Sequence, residues 1–375
     1  MNRLRVGVIG AGYWGPNLVR NFASCPQTEI CGVCDADPVR LQSVARRYSG
    51  LNAVTSIEEL LDLSLDAVAI ATPVSTHFSI AKECLEAGVH VLIEKPLAAS
   101  AAEALALIEL ATHQGRVLMV DHTYLFSNAV RHIEKVVASG ELGELYYVDG
   151  IRINLGLFQH DINVVWDLAP HDLSIMDYVI KKSPRSISSW GCSHTIDNHE
   201  DIAYVNLDYS DQFIANLHVN WLSPVKVRQI IFAGTRRSLI FNELNSTEPI
   251  KIYDRGIEIG HGLDDRQKVM VNYRSGAISS PHIDQGEPLQ AVVSHFADCI
   301  RESRIPISDG QLGLRVVRLI EAANRSLKAR GGRVACSTAN PQPLVNPMKS
   351  VLSDDMTAPG PYRSTLMKQK TSAIQ

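Results

Sequence analysis

Between Asn163 and Ile180 the run NVVWDLAPHDLSIMDYVI is apolar enough for a core, yet Asp167, His171 and Asp172 stand where leucines would pack well. Burying a carboxylate or an imidazole without partners is costly, so these groups either satisfy one another or face something that is not protein. Their types suit one kind of chemistry. Taking a proton from a secondary hydroxyl while a hydride leaves its carbon needs a base with a pKa near neutrality, and histidine is the usual choice. Asp167, four residues earlier and at or near a helix start, has two compatible uses: bonding one imidazole nitrogen to fix its tautomer, or capping the helix.

A second constellation opens the chain. RVGVIGAGYWGPNLVRNF carries Gly10, Gly12 and Gly15 as G-x-G-x-x-G directly after a strand pattern and at the start of a helical one. The first glycine permits a tight turn, the second lets a pyrophosphate approach the backbone, and the third lets helix and strand pack closely, with the helix N-terminus facing the anion. Tyr13 and Trp14 lie within the turn. The next strand, EICGVCDAD, ends in Asp35, where a carboxylate binds the adenosine ribose hydroxyls and repels a 2'-phosphate. With alanine at position 36, this favours NAD over NADP. Arg40, a helix turn further on, either swings toward a phosphate or adenine or is solvated.

Stepping outward, the elements that must position these groups change character along the chain. Strand patterns at 5–9, 29–34, 67–71, 90–93 and 117–120 alternate with amphipathic segments such as FSIAKECLEAG, which predicts βαβ units and a parallel sheet covered on both faces. After about residue 144 one helical block, 168–181, precedes a series of strand-like runs from SISSWGCSHTI to SLIFNEL. These read as a mostly antiparallel sheet in a second, α+β domain. Residues 255–287 read as irregular, and two helical stretches then close the fold. The expected division is 1–123, 124–335 and a mobile tail at 336–375, the chain from Gly331 onward being rich in Ser, Pro, Thr and Lys.

The 36 basic and 40 acidic residues leave a net charge of -4, which offers no footprint for nucleic acid or an anionic membrane. No run approaches the roughly 20 apolar residues of a membrane span, and glycines interrupt the N-terminus before a signal-peptide core forms, so the expectation is cytoplasmic. Seven scattered cysteines do not read as a disulfide framework, and Cys31-x-x-Cys34 reads as two residues of a buried strand rather than a metal site.

Two further motifs make the reading specific: AIATPVSTH, residues 69–77, after the third strand, and VLIEKP, residues 91–96, after the next. With the glycine turn they resemble the glucose-fructose oxidoreductase, inositol dehydrogenase and rhizopine-catabolism family, Gfo/Idh/MocA, over roughly residues 4–330. The resemblance implies a Rossmann domain followed by an α+β domain on an open sheet, with Glu94, Lys95, Thr72, Pro73, Thr76 and His77 at the cofactor. It also implies that Lys95, Asp167 and His171 form the catalytic group facing nicotinamide and sugar. Lys95 would offset developing alkoxide charge, and a cis bond at Lys95-Pro96 is an open alternative.

The surroundings WDLAPHD are most similar to the nucleotide-sugar and surface-polysaccharide branch. This implies oxidation at C3 of a UDP-N-acetylhexosamine or its uronic acid, and a homodimer or homotetramer through the second sheet. Asp121 departs from that branch, which usually carries glycine before the histidine of MVDHTYLF. Tyr124, Asn154, Asn163 and Lys226 are the remaining candidate substrate contacts, Lys226 and Arg228 together suiting either a diphosphate or a solvated sheet edge. A free-sugar or inositol dehydrogenase, a 3-ketoreductase running in reverse, and a cofactor-binding regulator without turnover stand as alternatives.

Overall fold

The computed structural model describes residues 2–336 apart from 49, 157, 159–160, 196–198, 211 and 261–269. Six strands form the first sheet: β1 (Leu4–Ile9), β2 (Thr28–Cys34), β3 (Asn52–Val54), β4 (Ala67–Ile70), β5 (His90–Glu94) and β6 (Leu118–Asp121). All are parallel, in the order β3-β2-β1-β4-β5-β6. Both faces are covered, so the strands carry continuous apolar runs; AVAI of β4 is buried at every position. The connecting helices are α1 (Gly15–Ser24), α2 (Pro38–Ala45), α3 (Ile57–Leu61), α4 (Val74–Glu86) and α5 (Ala101–His113). The short β3 was not expected from sequence, because its three residues are largely exposed and leave no apolar run.

A 3₁₀ turn (Thr123–Phe126) and α6 (Asn128–Ala138) lead to β7 (Leu145–Leu155) and to α7 (Val164–Ile180), the helix built from the opening run. The second sheet continues through β8 (Ser186–Cys192), β9 (Ile202–Ser210), β10 (Phe213–Asn220), β11 (Leu222–Gly234), β12 (Ser238–Asn242), β13 (Ile250–Gly260) and β14 (Met270–Ser279). After α8 (Pro288–Arg301) and α9 (Gly310–Lys328), β15 (Val334–Ala335) completes it. Its nine strands are antiparallel except where β7 runs parallel to β10. Alternation in β9 and β10 turns one face toward α7 and α9 and leaves Tyr204 and Ile214 exposed on the other.

One sequence expectation changes here. Much of 255–287 is strand, since β13 and β14 pair as a hairpin. Residues 334–335 pair with β8 at the sheet edge, inside the span expected for the second domain; residues 337–375 of the expected tail lie outside the described residues. Cys31 and Cys34 are buried within β2, and among the described residues no helix is long and apolar enough to cross a membrane.

Candidate active site

The strand order reverses between β1 and β4, and a cleft of about 950 Å³ opens beyond their carboxyl ends. Gly10 closes β1 with φ +100°, and a Cβ there would lie 2.5 Å from the Ala71 carbonyl oxygen. Gly15 is packed harder still: its Cβ would lie 1.8 Å from the Gly10 oxygen, so only glycine lets α1 start against the strand. Around Gly12, by contrast, nothing is closer than the Arg40 guanidinium at 4.0 Å, which leaves backbone accessible to a ligand. No side chain caps α1, and Pro16 brings no amide while those of Asn17 and Leu18 donate to the Trp14 carbonyl, so the Gly15 amide and the backbone of the turn before it are what the helix start offers an anion. The three glycines thus differ in physical role, as a dinucleotide turn requires.

Asp35 lines the same cleft beside Ala36 and Arg40. One of its oxygens accepts from the Ala11 amide at 2.6 Å and the other from the Asp37 amide at 2.8 Å. The carboxylate therefore ties the glycine turn to the end of β2 while presenting negative charge to the cleft. Arg40 is drawn to Asp37 at 3.3 Å in an exposed pair. Opposite them Thr72, Pro73 and Thr76 line the wall after β4, with the Thr76 hydroxyl donating to Thr72 Oγ1 and to the Pro73 carbonyl. Tyr13, 84% exposed, stands at the rim.

His77 also belongs to this wall, but its ring is buried and both nitrogens are occupied. Nδ1 is 2.9 Å from the Pro96 carbonyl and Nε2 2.9 Å from that of Thr72. Burial lowers its pKa. While lining the cleft expected to hold the cofactor, the ring links the loop after β4 to the turn after β5. The cis bond left open from sequence is present at Lys95-Pro96.

Lys95 projects from the end of β5 into the cleft, and its Nζ donates to the Asp167 carbonyl at 2.8 Å and to the Asp167 carboxylate at 3.3 Å. The other carboxylate oxygen accepts from the indole nitrogen of buried Trp221 at 3.0 Å. Asp167 therefore neither caps α7 nor bonds His171. The cap is Asn163, whose Oδ1 accepts from the Trp166 amide, while its Nδ2 is held by Glu200 and Asn324. Asn163 thus ties the start of α7 to Glu200 and Asn324.

His171 lies one turn beyond Asp167, edge-on to the Tyr124 ring at 5.0 Å. Its Nδ1 is buried without a partner. Burial, then the charges of Lys95, Arg152 and Arg228, hold its pKa well below the usual histidine value, so the ring is neutral and able to accept a proton. Neighbouring His122 is held down to about 3, by burial and then by Lys95, and both of its nitrogens lack partners.

Behind this surface Asp172 takes a bidentate pair from Arg152, both side chains 2% exposed. Glu243 receives Arg152, Arg228 and the Tyr124 hydroxyl. Burial alone would lower the Arg152 pKa, but Asp172 and Glu243 raise it on balance. These contacts answer two sequence expectations. The Tyr124 hydroxyl is used within the protein, and Arg228 is neutralised by Glu243 while Lys226 stands exposed, so the two cations form no joint diphosphate site. Asn154, on β7, keeps a buried Oδ1 without a partner. Sequence reasoning missed Trp221, Arg152 and Glu243, because each meets the site from an element distant in the chain.

A glycine turn at a topological switch point, with Lys95 lining the cleft and His171 near enough to feel its charge, fits a dinucleotide-dependent oxidoreductase. The comparisons agree. Residues 4–122 match the NAD-binding Rossmann fold of the oxidoreductase family, and 130–240 match the GFO/IDH/MocA C-terminal domain. UDP-N-acetylglucosamine 3-dehydrogenase from Acidithiobacillus ferrooxidans is 30% identical over 84% of this chain and 95% of its own length. Its solved structure, GnnA, superposes with a TM-score of 0.74 at 27% identity, covering 88% of this chain and all of that one. WlbA dehydrogenase from Bordetella pertussis, solved with NADH and UDP-GlcNAcA, shares the fold at TM-score 0.72 and 20% identity, over 90% of this chain and 99% of its own. Inositol 2-dehydrogenase from Leifsonia xyli is 30% identical over 49% of this chain and 56% of its own length. The chain belongs to the Gfo/Idh/MocA family. It is an NAD-binding oxidoreductase that acts on a CH-OH group of a sugar.

Proposed function

We propose that the chain oxidises C3 of a UDP-N-acetylhexosamine, or of the corresponding uronic acid, to the ketone in surface-polysaccharide or nucleotide-sugar biosynthesis. One observation carries the reading: the similarity to a UDP-N-acetylglucosamine 3-dehydrogenase runs through 95% of that protein's length, across cofactor and second-domain regions alike. NAD supplies the acceptor for the hydride that leaves C3. Gly10, Gly12 and the uncapped start of α1 hold its pyrophosphate, and Asp35 selects the ribose without a 2'-phosphate.

Lys95, fixed by Asp167, donates toward the C3 oxygen and offsets its developing negative charge. His171, kept neutral by burial and by the cations around it, accepts the hydroxyl proton. Trp221 and Lys95 hold Asp167 from two sides, so the carboxylate acts on the lysine rather than on the histidine. In the reverse direction the same histidine returns the proton. The exposed face bearing Trp190, Tyr204 and Ile214 is assigned in this reading to a homodimer or homotetramer contact, which sedimentation tests directly.

The test is reduction of NAD, followed by its absorbance, with UDP-N-acetylglucosamine and its uronic acid offered separately. Turnover with one of them and not with myo-inositol or free sugars supports the reading. Turnover with inositol or a free sugar alone replaces it, and bound NAD without turnover on any of them favours the regulator.

A further inference from the structure

Beside the cofactor cleft three polar atoms are buried without a well-formed hydrogen bond, Glu94 Oε1, Asp121 Oδ2 and Trp14 Nε1, and Asp121 lies close enough to feel both of the others. Glu94 ends β5 and Asp121 ends β6, directly opposite one another in the parallel register. Asp121 is 1% exposed, and its other oxygen accepts from the Thr123 hydroxyl at 2.8 Å. Glu94 lines the cleft beside Lys95. Lys95 does not neutralise the pair by hydrogen bonding, since its ammonium is directed to Asp167.

Ionised carboxylates only accept hydrogen bonds, so two of them face to face leave both inner oxygens unsatisfied and place like charges together in a dry site. A single proton between them removes both difficulties. Burial, then the Asp121 charge, raises Glu94 well above the ordinary carboxyl range, while Asp121 is raised by burial against the opposing influence of Thr123, Glu94 and Trp14.

The neighbouring groups are few. Lys95 follows Glu94 just past the end of β5, His122 and Thr123 follow Asp121, and Trp14 comes from the start of α1. Asp309, which bridges β6 at Met119, interacts with Arg315 and Asp177 instead.

We propose that Glu94 and Asp121 share one proton and release it to solvent when the oxidised cofactor binds, so that the pair becomes the counter-charge of the positive nicotinamide ring. The reduced ring is neutral and leaves the proton in place. Asp121 is thereby a residue through which this chain adjusts its relative affinity for the two cofactor forms, and binding, not turnover, is where it acts.

The experiment is calorimetric titration of the full, cofactor-free chain with NAD+ and separately with NADH, each in two buffers of different ionisation enthalpy, across a pH series. About one proton should leave per NAD+ bound and about none per NADH, with the NAD+ dissociation constant falling up to about tenfold per pH unit where the pair is protonated. Asp121→Asn and Glu94→Gln should each abolish the release, and their binding of NADH shows that the site is assembled. Equal proton exchange for the two cofactor forms in the wild-type chain overturns the proposal, and that comparison stands even if a variant fails to fold. Release that persists undiminished in both variants also overturns it, because the proton would then come from another group such as Lys95.

Discussion

Asp167 and Asp172 are carboxylates five residues apart on α7, and their surroundings separate chemistry from scaffold. Asp172 is sealed, 2% exposed, with both oxygens held by Arg152. Asp167 is about a fifth exposed at the cleft wall, and its two oxygens meet a lysine from one sheet and an indole from the other region of the chain. Each is partnered, so partnering alone does not distinguish them. What differs is whether the cation remains able to meet a ligand: Arg152 is enclosed with Asp172 and Glu243, whereas Lys95 still lines the cleft.

Substitutions on either side of that divide should fail in different ways, and the largest effect falls on the histidine between the two carboxylates. His171→Ala should lower kcat by about a hundred- to ten-thousand-fold, the range general-base loss covers, while NAD affinity stays within a few-fold. Steady-state kinetics paired with a cofactor titration checks both. If NAD binding collapses together with turnover, His171 belongs with the scaffold.

Asp172→Ala comes next, and its deficit should appear in stability rather than in a catalytic step. Removing one member of a buried pair leaves the Arg152 charge uncompensated and costs about 3–5 kcal/mol. Denaturant unfolding should show that loss, and whatever fraction folds should bind NAD normally. A variant of wild-type stability would mean that Arg152 transfers fully to Glu243.

Asp167→Asn should be milder, because the amide oxygen keeps one of the two side-chain bonds and Lys95 keeps its bond to the backbone carbonyl, while the charge that steadies the ammonium is removed and the amide nitrogen faces the other donor. A drop of about tenfold in kcat/KM, worth about 1.4 kcal/mol, is expected with little change in the unfolding midpoint. If stability falls as far as in Asp172→Ala, the two carboxylates have the same role and the distinction between them disappears.

The same contrast explains what was legible in the sequence. The glycine turn, Asp35 and Lys95 were found because each stands at a strand end or helix start, a local order written in spacing, although the partners Ala11 and Asp167 of the last two are 24 and 72 residues away. The strand alternation of the first sheet was readable for the same reason. Asp167 and His171, at i and i+4, invited a local pairing that the fold does not make. Trp221 from the β10–β11 junction and Lys95 from β5 take the carboxylate instead, and no spacing within α7 announces them. The partners of Asn163, Glu200 and Asn324, are likewise 37 and 161 residues away. The β13–β14 hairpin escaped because the Ile-x-Ile alternation at 250–252 returns out of phase at 257–259, past a register shift at Tyr253/Arg255, and a period-two reading fails across such a break.

The smallest expected effect lies in the pH profile. His171 is held neutral first by burial and then by Lys95, Arg152 and Arg228. As a base it works deprotonated, so kcat/KM should stay level through neutral pH and decline only in acid below the ordinary histidine range. Its folded pKa lies below the unfolded value of about 6.5, so below that pH the unfolded chain binds more protons. Stability from this group is then complete above about 6.5 and is lost as pH falls toward the folded pKa. Arg228→Met removes one nearby positive charge and frees Glu243 from it, and both changes favour the imidazolium. The acid limb should therefore move up by a fraction of a pH unit, without change in the neutral plateau. A limb that stays in place would show that the Arg228–Glu243 pair has no part in setting the histidine.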